Sequence, residues 1–347
     1  MRRDDASASA ALMHAVGCRP AWLVVALLTA GSLLVTASGV DLGLPAWAPY
    51  LPLAASLVVF GLPHGAVDHL APAHAAGRPV TLRVLVAVGG CYLLLGGAYA
   101  ALWFVAPVAA AVLFVALTWL HWGQGDLYAL DALGGSHLDS AGVRAGTVLV
   151  RGGLPMLVPL LRYPDEYRRV VDAWVALFGG DLHAGWLWAP TTRAALGVAF
   201  AVLTGLVLAA SHRSGGTWRR DAAETGLLWA FFLVVPPLVA VGVYFCVWHS
   251  LRHVGRLAAV DDRARGAFVD RGTLAALART GWNAVPLTAV SLAGLGGVAV
   301  VAGVGTEPRV LAALYLVVVA VLTLPHVAVV TWMDLVEDAG IGRAGGS

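Results

Sequence analysis

Lysine is absent from this sequence, and all 22 of its basic residues are arginine. Charge of either sign is scarce: charged residues make up 12% of 347 positions and leave a net charge of +2. A balance so small and so scattered offers no basic surface, so nucleic acid is excluded as a partner. Cysteine is also nearly missing. Cys18, Cys91 and Cys246 are odd in number and far apart, which excludes a disulfide framework and argues against a thiolate metal site. No soluble domain is visible either, since the longest polar stretches are 126–142, 162–193 and 255–282.

What is abundant is apolar surface. The chain is 59% hydrophobic with a mean hydropathy of +0.81, the composition of a multi-pass protein of the cell membrane. Apolar runs fall at about 21–40, 46–66, 82–105, 107–125, 143–161, 194–211, 223–254, 283–304 and 309–332. The expected fold class is all-α, a polytopic membrane helical bundle of about 8–10 transmembrane segments. Residues 1–20 read as an N-terminal cytoplasmic tail carrying Arg2, Arg3 and Arg19, 21–335 as a single transmembrane catalytic bundle, and 336–347 as a C-terminal tail. The first run has the length of a retained span rather than of a cleaved signal. The segment 162–193, with Trp174, Trp186 and Trp188, reads as interfacial or re-entrant.

Pro236-Pro237 interrupts the run 223–254, leaving either one kinked helix or two short ones. Arginine placement favours two. With the N-terminus inside, Arg78, Arg83, Arg144, Arg213, Arg219 and Arg220 fall on the cytoplasmic side; Arg252, Arg256, Arg263, Arg265, Arg271 and Arg279 join them only if the chain turns back at the prolines. The count then approaches ten passes. Arg162, Arg168 and Arg169, beside Asp165 and Glu166, are the exception.

This topology places five histidines on one side: His64, His121, His249, His253 and His326, a cluster near the cytoplasmic face. Polar groups among lipid-embedded helices are costly and usually face a partner or a cavity. His249 and His253, at i and i+4, project from one helical face and suit a single metal ion. His326 is open between ligand and orienting residue. His69 points away from His64 on an ideal helix, and His14, His74, His137, His183 and His212 lie in polar segments where solvation is expected. Asp68, Asp126 and Asp334 follow His64, His121 and His326 and are candidates to orient an imidazole, or alternatively to pair with Arg252 or another arginine. Arg151, inside an apolar run, needs an acid partner or must snorkel. Phe60, Trp119, Trp122, Tyr244, Phe245 and Trp248 lie close in sequence to these histidines; Trp122, Tyr244, Phe245 and Trp248 are the candidates for lining an apolar substrate tunnel, Tyr244 foremost. On these residues alone a membrane oxygenase, a haem protein and a histidine-lined transporter for a divalent metal or proton all stand open. A di-iron lipid desaturase would need several histidine boxes, against one HxxxH pair here.

Four ordered stretches narrow the choice: "GLPHGAVDH" at 61–69, "HWGQGD" at 121–126, "PPLVAVGVYFCVWHSLRH" at 236–253 and "LPHVAVV" at 324–330. Together they resemble the successive signatures of the Brp/Blh family of membrane β-carotene 15,15'-dioxygenases, over about residues 46–333. The resemblance implies cleavage of β-carotene by O2 at its central double bond to two retinal molecules, in the lipid bilayer, with a functional link to a retinal-binding rhodopsin. It also implies an Fe(2+) ion held by the histidines of the Pro-His-Gly, His-aromatic-Gly and His-Ser-x-Arg-His motifs, which are His64, His121, His249 and His253 here. Such a set departs from the two-histidine, one-carboxylate triad of many non-haem oxygenases.

Overall fold

The computed structural model of the chain describes residues 3–301 and 303–344, and among these it contains helices and no strand. Residues 3–38 form one rod, α1, helical through a π turn at Met13–Cys18. The tail expected over residues 1–20 is therefore helix from Arg3 onward, with Met1 and Arg2 outside the described residues. It is also packed: Leu12, Met13, Val16 and Cys18 are buried, and Gly17 lets the rod touch the backbone of Arg252. At the other end α13 (Pro308–Ala344) runs unbroken through most of the expected C-terminal tail, residues 345–347 lying outside the described residues.

Among the described residues, seven helices have the length and apolarity to cross a bilayer: Ser7–Ser38 within α1, α4 (82–105), α5 (Pro107–Ala132), α6 (Ala141–Arg162), α8 (Pro190–Ser214), α12 (Thr273–Val301) and Pro308–Glu337 within α13. Large side chains such as Leu27, Leu93, Phe104 and Val300 are exposed on them, as a lipid-facing belt requires. The chain is thus a polytopic helical membrane protein, with fewer full-length spans than the ten passes counted from arginine placement.

Two apolar runs account for the difference. The run 46–66 is not a helix but a broken path: α2 (Leu51–Ser56), an irregular turn, and α3 (Gly61–Gly65). Pro49, Pro52 and Pro63 deny it continuous backbone hydrogen bonding. The path folds on itself so tightly that a Cβ at Gly61 would lie 2.4 Å from the Ser56 carbonyl oxygen. The run 223–254 becomes a hairpin of α9 (Trp218–Val234) and α10 (237–260), joined by an extended Val235-Pro236 link. Glu224, early in α9, pairs with Arg252, late in α10, at 2.9 Å, which fixes the two arms as antiparallel. The reversal lies at the double proline.

At the centre stands α6, buried along most of its length from Val143 to Leu160. Its contact with α5 is a backbone approach. A Cβ at Gly152 would fall 1.8 Å from the Trp119 carbonyl oxygen, and one at Gly123 would fall 2.2 Å from that of Val148. Small residues allow such proximity where lipid removes the usual hydrophobic drive for association. An amphipathic helix, α7 (Pro164–Ala176), closes the far end of the bundle by burying Val171, Trp174 and Val175; α11 (Asp262–Arg271) connects α10 to α12.

Candidate metal centre

The elements converge on five imidazoles. His64 comes from α3, His121 from α5, His249 and His253 from α10, and His326 from α13, and all are buried. The His64 ring centroid lies 5.3 Å from that of His249, 5.4 Å from His253 and 5.0 Å from His326. His121 lies 4.8 Å from both His249 and His326. The donor atoms of His64, His121 and His249 all fall within 4.8 Å of one another, as do those of Asp68, His253 and His326. Local backbone explains the convergence on α10. A π turn at Tyr244–His249 precedes the α-helical Ser250–Val260, and the Ser250 hydroxyl donates to the Phe245 carbonyl at 2.6 Å, inside that widened turn. Such π turns recur at functional sites.

The orientation of two rings is set by their Nδ1 atoms. His64 Nδ1 is bonded to the Gly61 carbonyl, and His326 Nδ1 to Asp68 Oδ2 at 2.7 Å. With Nδ1–H donating, each Nε2 carries the lone pair. Both nitrogens of His121 and the Nε2 atoms of His249, His253 and His326 are buried with no hydrogen-bond partner. An unpartnered buried polar atom costs about 1–3 kcal/mol. Several at one point fit a metal ion, and an all-imidazole set suits first-row metals such as iron, copper or zinc.

Of the three carboxylates considered from sequence, only Asp68 touches an imidazole; its Oδ2 also accepts the Tyr92 hydroxyl at 2.6 Å. Asp126 turns away from His121 and instead accepts Trp248 Nε1–H at 3.0 Å and pairs with Arg252 at 3.1 Å and Arg151 at 3.5 Å. Asp334 pairs with Arg256 at 2.6 Å. The cations across the bundle decide this. Arg151 and Arg252 both need acids, and they also take Glu224 (2.5 and 2.9 Å), while Arg151 takes Asp221 at 3.2 Å. Trp22 of α1 donates to Glu224 at 3.0 Å. This buried network fastens α5, α6, α9 and α10 directly behind the histidines. His137, expected in solvent, is buried beside it, near Thr217 and Asp221.

On the open side of the cluster lies a cavity of about 620 Å³. His64, His121, His249, His326, Asp68 and Tyr92 form its polar patch; Trp122, Phe114, Met156, Trp174, Phe245 and Leu316 are among its apolar walls. It reaches the apolar surface between α4 and α12, where Leu85, Leu287 and Val290 are exposed. Tyr244 and Trp248 do not line it, contrary to expectation. Residues 244, 248 and 252 share one strip of α10 that faces the ion network and the Phe232 core, whereas 245 and 249 share the strip facing the cavity. Closeness in sequence stood in for helical face. Tyr92, Asp221 and Glu224 were missed in the sequence; each is a polar group in or beside an apolar run, the signal that should have marked them.

Residues 55–334 match the profile of the family described as beta-carotene 15,15'-dioxygenase. The chain is 59% identical over 297 residues to the probable beta-carotene 15,15'-dioxygenase Blh of Halobacterium salinarum, a span covering 84% of this chain and 86% of that protein. It is 33% identical over 303 residues to the probable beta-carotene 15,15'-dioxygenase Brp of the same species, covering 80% and 81%. No solved structure matches the chain. With most of its length matched and the histidine motifs gathered at one point, the chain belongs to the β-carotene 15,15'-dioxygenase family.

Proposed function

We propose that this protein, in the cell membrane, cleaves β-carotene with O2 at the central 15,15' double bond, at a non-haem Fe(2+) centre held by His64, His121, His249 and His253. The observation that carries this reading is the meeting of a histidine-rich donor cluster with a mostly apolar cavity that opens at the apolar surface between α4 and α12. The names of the Blh and Brp relatives point to the same substrate. A histidine-lined ion pathway is a poorer fit, because the walls of this cavity away from the cluster are mostly apolar, with Glu166, Thr118, Tyr167, Ser291 and Thr323 as the polar exceptions.

A ferrous ion bound there would supply activation of dioxygen, chemistry that no side chain provides. The chain's part is position and dryness. The Gly61 carbonyl holds the His64 ring with Nε2 toward the cluster, and Trp122, centred 5.6 Å from His249 and 6.0 Å from Phe245, makes an aromatic wall beside it. A polyene has no polar handle, so shape alone must hold its central bond beside the imidazoles. The C=C bond breaks, both oxygen atoms of one O2 end as the carbonyls of two retinal molecules, and no further reductant is needed. A retinal-binding rhodopsin in the same membrane is the natural recipient.

The test is expression in a bacterium that accumulates β-carotene. Cells should lose colour and yield retinal; carotene left intact beside iron-loaded protein in the membrane overturns the reading. Access is tested separately. Gly89 of α4 lines the cavity beside Leu85, and a Cβ there meets nothing within 4 Å. Gly89→Trp should therefore narrow the mouth without disturbing the bundle. We expect cleavage slowed about tenfold, roughly 1.4 kcal/mol in the barrier, with iron content unchanged; an unaltered rate would place the access route elsewhere.

A further inference from the structure

The resemblance to the family assigns four histidines, yet the structure holds a fifth among them. We infer that His326 is a fifth nitrogen ligand of the same single ion, its ring fixed by Asp68 and Asp68 in turn by Tyr92. The inference rests on the proposed metal centre and deepens it.

Position comes first. The His326 ring lies 5.0 Å from His64, 4.8 Å from His121 and 5.1 Å from His253. Those spacings match the 4.8 to 5.4 Å that separate His64 from His249, His64 from His253 and His121 from His249, so His326 stands within the cluster and not behind it. Orientation comes second. Its Nδ1 is occupied by Asp68 Oδ2, and its Nε2 is buried without a partner, which is the posture of an imidazole ligand whose other nitrogen is tied to a carboxylate. The ring packs beside the His64 segment: a Cβ at Gly65 would make an ordinary 3.5 Å contact with His326 Nδ1.

The grouping of donors into two triads, one with Asp68, raises the alternative of two ions. Asp68 could give a second ion at most one oxygen: its Oδ2 is shared between the Tyr92 hydroxyl and His326, and its Oδ1 is buried without a partner. In addition, the ring centroids of His121 in one triad and His326 in the other lie 4.8 Å apart, as close as those of His121 and His249 within one triad.

The experiment uses full-length protein purified with iron. Iron per chain, iron affinity by chelator competition, and the nitrogen count from X-ray absorption are measured for the wild type, His326→Ala and Asp68→Asn, with membrane level and elution profile as controls on folding. We expect one iron per chain with five nitrogen scatterers, an affinity at least 100-fold weaker in His326→Ala, and recovery of that affinity on adding free imidazole. Asp68→Asn should keep all five nitrogens and weaken affinity by about 10–100-fold. Unchanged affinity and nitrogen count in His326→Ala, or two irons per wild-type chain, overturns the inference alone. A wild-type protein that takes up no iron overturns the proposed centre and the inference with it.

Discussion

Replacing His249 with alanine is expected to stop retinal formation, with a fall of at least about 10³-fold, equivalent to roughly 4 kcal/mol of barrier. Its ring stands 4.8 Å from His121 and 5.3 Å from His64, and its Nε2 is buried with no partner. Removing it leaves the remaining imidazoles an incomplete set and opens a gap in the cavity wall beside Trp122 and Phe245. Iron content should fall with activity. Tyr244→Phe is the matched control: it lies on the same helix five residues earlier, outside the cavity, and its hydroxyl has no partner to lose. Retinal yield by chromatography and iron by elemental analysis decide the matter. A His249→Ala protein that still forms retinal at more than about 1% of the wild-type rate would remove this residue from the centre.

Arg252→Ala is expected to cost more in folding than in chemistry. Arg252 bonds Asp126 at 3.1 Å and Glu224 at 2.9 Å, and its guanidinium lies 4.2 Å from the Trp248 ring centroid. Truncation leaves Arg151 as the fully buried cation facing Asp126, Asp221 and Glu224, with the partly exposed Arg220 reaching Glu224 at 3.4 Å. Breaking one partner from a buried pair costs about 3–5 kcal/mol. The α10 arm would lose its fastening to α5 and α9, and His249 and His253 their position. The unfolding midpoint in detergent should drop sharply and retinal formation with it. The double variant Arg252→Met with Glu224→Gln should recover part of the loss, because no uncompensated charge of that pair remains. An unmoved midpoint in Arg252→Ala would show that the network is not what holds the hairpin.

The sequence made the histidine pair readable because i and i+4 is a local relation that a helix enforces without help from the rest of the chain. His64, His121 and His326 were readable at longer range because alternating spans put them at one depth, given a reversal at Pro236-Pro237. The carboxylates were not. Asp68 and Asp126 follow a histidine by four and five residues, and nothing in that spacing tells which will meet an imidazole. The outcome depends on Arg151 and Arg252, which arrive from α6 and α10 opposite Asp126 and leave Asp68 free for His326. The run 46–66 failed as a span for a reason that was visible: three prolines and Gly61 weigh more than apolar composition. The packing of α1 failed for a reason that was not. Residues 3–18 contain many small and polar side chains that read as tail, but Leu12, Met13, Val16 and Cys18 are buried, and Gly17 and Gly255 let the rod approach α10 closely.

On the proposed function, a mouth between α4 and α12 lined by exposed Leu85, Leu287 and Val290 would meet substrate from the lipid, so supply would be governed by how many carotene molecules share a leaflet with each protein, a mole fraction in two dimensions, and hardly at all by molarity in water. Extra carotene-free lipid would then starve it even when the amount per millilitre is unchanged, and the aldehyde products would depart into the same sheet of lipid, open to collection by lateral diffusion without an aqueous step.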